Sequence, residues 1–379
     1  MKFWLAGVIV ALATVATGAL AAPPYEVVIR RNIEYATHDG VKLTGDLYRP
    51  KDVAKAPVLI AVHGGGWQRG SPATYKHWGP LLAENGYAVF AVTYRLAKPG
   101  TKAYPGAVYD VRAAVQFMRA RARDFSVDPE RIGLMGDSAG AHLVSLVGLA
   151  GSDPQFSSEY KNDPHASTPV TVNAVIGFYG VYDMLAQWEH DQLARPLDQI
   201  TEKFLGAQPM ANRKLYFDSS PMSYATVDKN KPRFMVIWGT ADDIVEPASQ
   251  SQRFRDLLKR AQFYVRTVEV PSAPHFWVAD PIDVDSYNAH VAPKLLLFLD
   301  STFKPQPPSA SNETSEAPPR AERSRRRENA SRTQQARPET PAPAASASSQ
   351  AAPSAPASTQ APPAPPTSGQ APASAPPRR

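Results

Sequence analysis

A serine hydroxyl attacks a carbonyl near neutral pH only when an imidazole takes its proton and a carboxylate steadies that imidazole. This chain carries all three types at places where a fold can bring them together. Ser138 stands in Gly136-Asp137-Ser138-Ala139-Gly140, which fits the G-x-S-x-G pattern. Arg131 to Met135 before it reads as a short buried strand, and Ala141 to Ala150 after it as an apolar helix. A serine on so tight a turn is pushed out of the sheet, and the helix behind it aims free N–H groups at the same spot.

The base has to be found among eight histidines. His275 lies in Pro271-Ser272-Ala273-Pro274-His275-Phe276-Trp277, a loop after the last predicted strand and before the last helix. It is the expected base. His38 falls in a hairpin turn and is read as solvent-facing. His142 lies one turn past Ser138 and points away from it. His77, His165, His190 and His290 sit in helical or polar surface contexts. For the acid, Asp242 is preferred to Asp243, because it stands three residues past Gly239, directly off a strand end. Asp137 runs opposite in direction to Ser138 and is read as structural. The order Ser, Asp, His is the one a strand-to-helix elbow of this kind requires.

A second motif, His63-Gly64-Gly65-Gly66-Trp67, follows the apolar strand Pro57 to Val62. Three glycines expose backbone N–H groups, so Gly65 and Gly66, with the Ala139 N–H, are the expected oxyanion donors. A phosphate cradle is the weaker reading, since no Lys-Ser/Thr follows the glycines. His63 is expected to order this loop by a hydrogen bond. No metal pattern competes: the chain has no cysteine and no H-E-x-x-H, and no cofactor is expected.

The elements that must hold these residues alternate. Val27 to Tyr35 and Val41 to Tyr48 read as an antiparallel hairpin about Asp39-Gly40. Buried strands follow at 57–62, 87–93, 170–179, 234–238 and 263–270, with helices at 74–84, 105–123, 247–260 and 284–299. That pattern predicts an α/β fold: a mainly parallel twisted sheet with helices on both faces and an N-terminal antiparallel hairpin. Ligands in such sheets bind beyond the carboxyl ends of the strands. Residues 181–230 break the rhythm and read as a short helical lid insertion.

Composition separates three regions. Residues 1–21 have a basic start, an apolar run and an Ala19-Leu20-Ala21 cleavage site, so a signal peptide is expected, with export to the periplasm or beyond. The apolar run is too short for a comfortable membrane span. Residues 22–304 form the expected catalytic domain. Residues 305–379 hold 17 of the 38 prolines and nine arginines against five glutamates. That composition predicts a disordered, solvated tail, whose cluster at Arg323 and Arg325 to Arg327 offers a contact for an acidic surface or polyanion. Most of the formal charge of +6 therefore belongs to the tail, and basicity gives no argument for nucleic-acid binding by the folded part.

The four motifs around His63, Ser138, Asp242 and His275 together resemble the hormone-sensitive-lipase-like and feruloyl-esterase-like carboxylesterases of the α/β-hydrolase superfamily. The resemblance covers roughly residues 30 to 300. It implies Ser138 as nucleophile, Asp242 as acid, His275 as base, and an oxyanion hole from Gly65, Gly66 and Ala139. The large N-terminal helical cap of the lipase-like branch is not expected here, which favours the feruloyl- or acetyl-esterase-like side. Together with the expected signal peptide this gives a secreted serine carboxylesterase as the leading expectation; an open cleft with Trp67, Trp188 and Trp277 as expected substrate contacts suggests short-chain or aromatic esters, small or linked to a polysaccharide. The same triad also suits an amidase, formamidase or peptidase. An exported binding protein on a hydrolase scaffold is the non-catalytic alternative.

Overall fold

The structure, a computed structural model, describes residues 25–227 and 231–304. The expected signal peptide and the expected tail lie outside the described residues.

The chain opens with β1 (Val27–His38) and β2 (Val41–Pro50), an antiparallel pair turning at Asp39-Gly40. β3 (Ala56–Val62) is buried at all seven positions. A 3₁₀ turn at Pro72–Tyr75 and α1 (Trp78–Glu84) occupy the stretch expected as one helix. β4 (Ala88–Val92), α2 (Gly106–Ala120), β5 (Val127–Asp137) and α3 (Ala139–Ala150) follow, then the single turn α4 (Pro154–Ser157) and β6 (Ala174–Phe178). The insertion supplies α5 (Met184–Ala194), α6 (Ile200–Leu205), α7 (Arg213–Asp218) and a 3₁₀ turn at Pro221–Tyr224. Its helices start where sequence can cap them. The Asp183 carboxylate accepts from the N–H groups of Leu185 and Ala186, and the Asn212 amide oxygen from that of Leu215. β7 (Arg233–Gly239), α8 (Arg253–Arg260), β8 (Val265–Val270) and α9 (Tyr287–Phe303) complete the order; a π-helical turn at Ala248–Gln252 leads into α8.

The eight strands form one sheet in the order β1-β2-β4-β3-β5-β6-β7-β8. β2 meets β4 antiparallel, and every pairing from β4 through β3 to β8 is parallel. Strand alternation divides the core into two layers. Val58, Ile60 and Val62 pack with α2, α3 and α8, while Leu59 and Ala61 pack with α1 and α9. The fold is therefore the expected α/β architecture with both faces covered.

His38 corrects its expectation. Its side chain is 1% exposed and lies between two carboxylates, Asp110 at 2.6 Å from Nδ1 and Asp163 at 2.7 Å from Nε2. Tyr160 stacks on its ring at 3.9 Å. β1 runs on through His38 to the turn itself, and the fully buried Asp110 on α2 needs cationic partners there. Burial pulls the His38 pKa down, but the hydrogen bonds its ring donates to the carboxylates of Asp110 and Asp163 outweigh that and leave it raised.

Candidate active site

The end of β5 places Ser138, the candidate nucleophile. Ser138 has φ +50° and ψ −118°, a conformation that costs a non-glycine residue on the order of 1–3 kcal/mol. It is held because its N–H donates to the Phe178 carbonyl at 2.9 Å and its carbonyl accepts from His142 at 3.1 Å. α3 can start so close to β3 only because residue 140 is glycine. A Cβ there would lie 1.9 Å from the Val62 carbonyl oxygen.

Asp242 and His275 reach the same point from the loops after β7 and β8. His275 Nε2 is 2.9 Å from Ser138 Oγ, and His275 Nδ1 is 2.7 Å from Asp242 Oδ2. The carboxylate can only accept, so Nδ1 carries the proton and Nε2 accepts from the serine hydroxyl. Asp242 Oδ1 is itself fixed by the N–H groups of Ile244 at 3.0 Å and Val245 at 2.9 Å. Tyr179 lies against the His275 ring at 4.4 Å, and its hydroxyl accepts from the Val278 N–H at 3.0 Å, bracing the far side of the loop. The structure thus brings Ser138, Asp242 and His275 together and leaves Asp243 out, its carbonyl accepting from His190.

Gly65 (φ +106°) and Gly66 (φ +59°) line the cleft with Ser138 and Ala139. Gly65 admits no side chain, since a Cβ would lie 2.2 Å from the Arg69 carbonyl oxygen. Ala139 is the first residue of α3, where an N–H has no partner inside the helix. Among the described residues, none of these three N–H groups donates to a protein group. They are free for a developing oxyanion. The loop is tied down by Asp137, whose Oδ1 accepts from the Gly64 N–H and from the Tyr75 hydroxyl, both at 3.0 Å. Burial raises the Asp137 carboxyl to about 6 against those two hydrogen bonds. Burial lowers His63 to about 4, so its ring is neutral; Nδ1–H donates to the Gly64 carbonyl at 2.8 Å and orders the turn.

The cleft measures about 250 Å³, with Val181, Ile200, Val245 and Phe276 as its apolar wall. The expected tryptophan contacts need correction. Trp188 and Trp277 do not line it. Trp188 donates to Glu202 at 2.7 Å, and Trp277, 2% exposed, packs on Phe178 and Tyr179. Trp67 borders the cleft, but its ring is fully buried, stacked on Phe204 and donating to His142. Indole rings here serve the core, where their apolar area is best removed from water. Sequence reading missed Phe276 and the lid residue Ile200. Phe276 had a signal, its place next to His275; Ile200 had none, because a helix with no sheet register gives no address. A larger cavity of about 450 Å³ beside Tyr35 and Phe117 contains no member of the triad.

A parallel sheet with helices on both faces, a serine on the turn from β5 to α3, and an Asp-His pair from the next loops define an α/β-hydrolase. The BD-FAE family model matches residues 45–258, more than half of the chain, and the chain belongs to that family. It is 33% identical to Esterase LipC of Mycobacterium tuberculosis, over 76% of this chain and 68% of LipC. It is 31% identical to the probable carboxylic ester hydrolase LipM of the same organism, over 69% of this chain and 58% of LipM. The chain thus spans little more than half of LipM and about two thirds of LipC. Thermogutta terrifontis esterase 2, solved phosphorylated by paraoxon, shares the fold with a TM-score of 0.58 at 23% identity, over 75% of this chain and 97% of that one.

Proposed function

We propose that the protein is a serine carboxylesterase. The observation that carries this reading is the unbroken hydrogen-bonded line from Ser138 Oγ through His275 to the buried Asp242. Ser138 Oγ attacks the ester carbonyl as its proton passes to His275 Nε2. The new oxyanion accepts hydrogen bonds from Gly65, Gly66 and Ala139. The C–O bond to the alcohol breaks, and His275 gives that oxygen its proton. Water then enters, loses a proton to His275 and releases the acid from Ser138. The Asp242 carboxylate holds Nδ1–H and stabilises the imidazolium. The small cleft and its apolar wall suit a short acyl or single-ring aromatic group. The names of LipC and LipM support ester rather than amide chemistry, and residues 1–21 support export before the enzyme acts.

The test is hydrolysis of p-nitrophenyl acetate and methyl ferulate by wild type and Ser138→Ala. Turnover should fall to background in the variant, and a fluorophosphonate probe should label wild type alone. Undiminished activity in Ser138→Ala refutes the proposal.

A further inference from the structure

The cleft is open at one side. Gln68 and Lys203 border both it and a groove of about 820 Å³ that runs on between the 97–102 loop and α6. The lining is lopsided in charge. Arg69 and Lys203 stand on the cleft, and Lys98 and Lys102 on the groove. Among the described residues Arg69, Lys98 and Lys102 meet no carboxylate, and Lys203 Nζ meets only the Asp198 carbonyl, at 2.6 Å. Two acids oppose them. Asp198 already faces Arg195 at 3.6 Å, and Glu202 is turned to Trp188 and Gln208. Over the described residues basic and acidic side chains are nearly balanced, so this excess is local.

The groove is also built. The Ala97 N–H donates to the Trp67 carbonyl at 2.7 Å, coupling this wall to the oxyanion loop. Lys98 and Thr101 exchange a pair of 2.9 Å hydrogen bonds across a tight turn. The N–H groups of Ala103 and Tyr104 both donate to Phe204 at the end of α6. The Lys102 stem rests on Gly206, close enough that a Cβ there would lie 3.0 Å from its Cδ. The remaining walls bear the amides of Gln68, Gln199 and Gln208 and the Thr101 hydroxyl beside the small apolar residues Ala97, Pro99 and Ala207, with no aromatic ring. Amides and hydroxyls match a sugar's hydroxyls. A nucleic-acid strand would want stacking rings, and a lipid chain would want large apolar side chains, which this groove does not have.

We propose that the ester this site takes is carried on an acidic saccharide, whose carboxylates lie against Lys98 and Lys102 while the ester reaches Ser138 past Gln68 and Lys203. The inference deepens the esterase reading and rests on it for the chemistry, though not for the binding. Two measurements keep them apart. Isothermal titration of ester-free trigalacturonate and xylotriose into the full chain reads the groove alone. Binding should be specific to the acidic sugar and weaken about two- to fivefold for each lysine removed in Lys98→Gln and Lys102→Gln. It should also fade at 0.5 M NaCl, where screening shortens the reach of exposed charges to about 4 Å. Then kcat/KM on acetylated oligogalacturonate should exceed that on acetylated oligoxyloside by about tenfold. The double variant should erase that preference and leave p-nitrophenyl acetate turnover unchanged. Equal binding of both sugars, or a preference untouched by the double variant, overturns the inference. Selective binding without turnover of any ester keeps the groove and refutes the esterase reading alone.

Discussion

Asp110 tests whether a buried charge cluster far along the chain from the triad holds the fold. Its carboxylate is fully buried and receives His38 at 2.6 Å, the Arg95 backbone N–H at 2.8 Å and the Arg95 guanidinium at 2.7 to 3.0 Å. Asp163, from the loop after α4, takes the other face of His38, and Asp39 in the hairpin turn takes Arg95. Asp110→Asn keeps the shape and removes the central charge, leaving His38 and Arg95 facing a neutral amide. Breaking a buried pair from one side costs about 3–5 kcal/mol. At about 2 °C per kcal/mol for a domain of this size, the melting temperature should drop by about 6–10 °C. His38 adds a pH signature. Its folded pKa is raised, so the stability it lends is whole below its unfolded value of about 6.5 and is lost as pH rises through the folded one. Thermal unfolding followed by circular dichroism should therefore show a wild-type advantage over His38→Gln that is large at pH 6 and narrower at pH 9. An Asp110→Asn protein melting within 2 °C of wild type at both pH values would refute the reasoning.

Three substitutions probe the site itself. Gly65→Ala forces a side chain onto φ +106° and against the Arg69 carbonyl; kcat should fall about 10²–10³-fold as an oxyanion donor is displaced, with far-UV circular dichroism unchanged. Asp242→Asn should lower kcat about 10⁴-fold with little change in KM, because the amide no longer fixes the proton on His275 Nδ1; a loss under tenfold in steady-state assays would remove Asp242 from the triad. Asp137→Asn keeps an oxygen for Gly64 and Tyr75 and should retain activity, whereas Asp137→Ala should lose it. The folded Asp137 pKa, raised to about 6, makes wild type lose stability as pH rises from about 4 to 6, so Asp137→Asn should gain about 2–3 kcal/mol relative to wild type over that window in urea melts.

Wherever a residue's environment is set by its own element, sequence was enough to read it. β3 is apolar at every position and buried at every position. Ser138, Asp242 and His275 each follow a strand, and a parallel sheet turns that shared place in the chain into a shared place in space. What escaped reading depended on partners distant in sequence. Asp163, 125 residues on, helps bury His38, so a turn residue became a core one. The three tryptophans expected at the cleft pack inward instead, because a large apolar ring near a strand end suits the core as well as a substrate. The expected helices 74–84 and 247–260 end where α1 and α8 end, but their first turns are 3₁₀ and π turns that follow local packing no periodicity announces.

The register of the sheet explains which half of the site is stiff. Val62, Gly136, Gly177, Val236 and Thr267 form one row across β3, β5, β6, β7 and β8. Gly65, the first of the two glycines expected as oxyanion donors, stands three residues past that row and Ser138 two past it, so both are held close to the ladder. Asp242 and His275 lie six and eight residues beyond, where the ladder has ended. Their place has to be secured by other means. The Ala241 N–H donates to the Ala273 carbonyl at 3.0 Å, joining the two loops. Gln187, on α5 of the lid, donates to the Ile244 carbonyl at 2.9 Å, next to the N–H groups that hold Asp242. The lid therefore acts on the acid side of the triad as well as covering the cleft. Disturbing α5 should slacken Asp242 and His275 first and leave the nucleophile and its oxyanion donors in place.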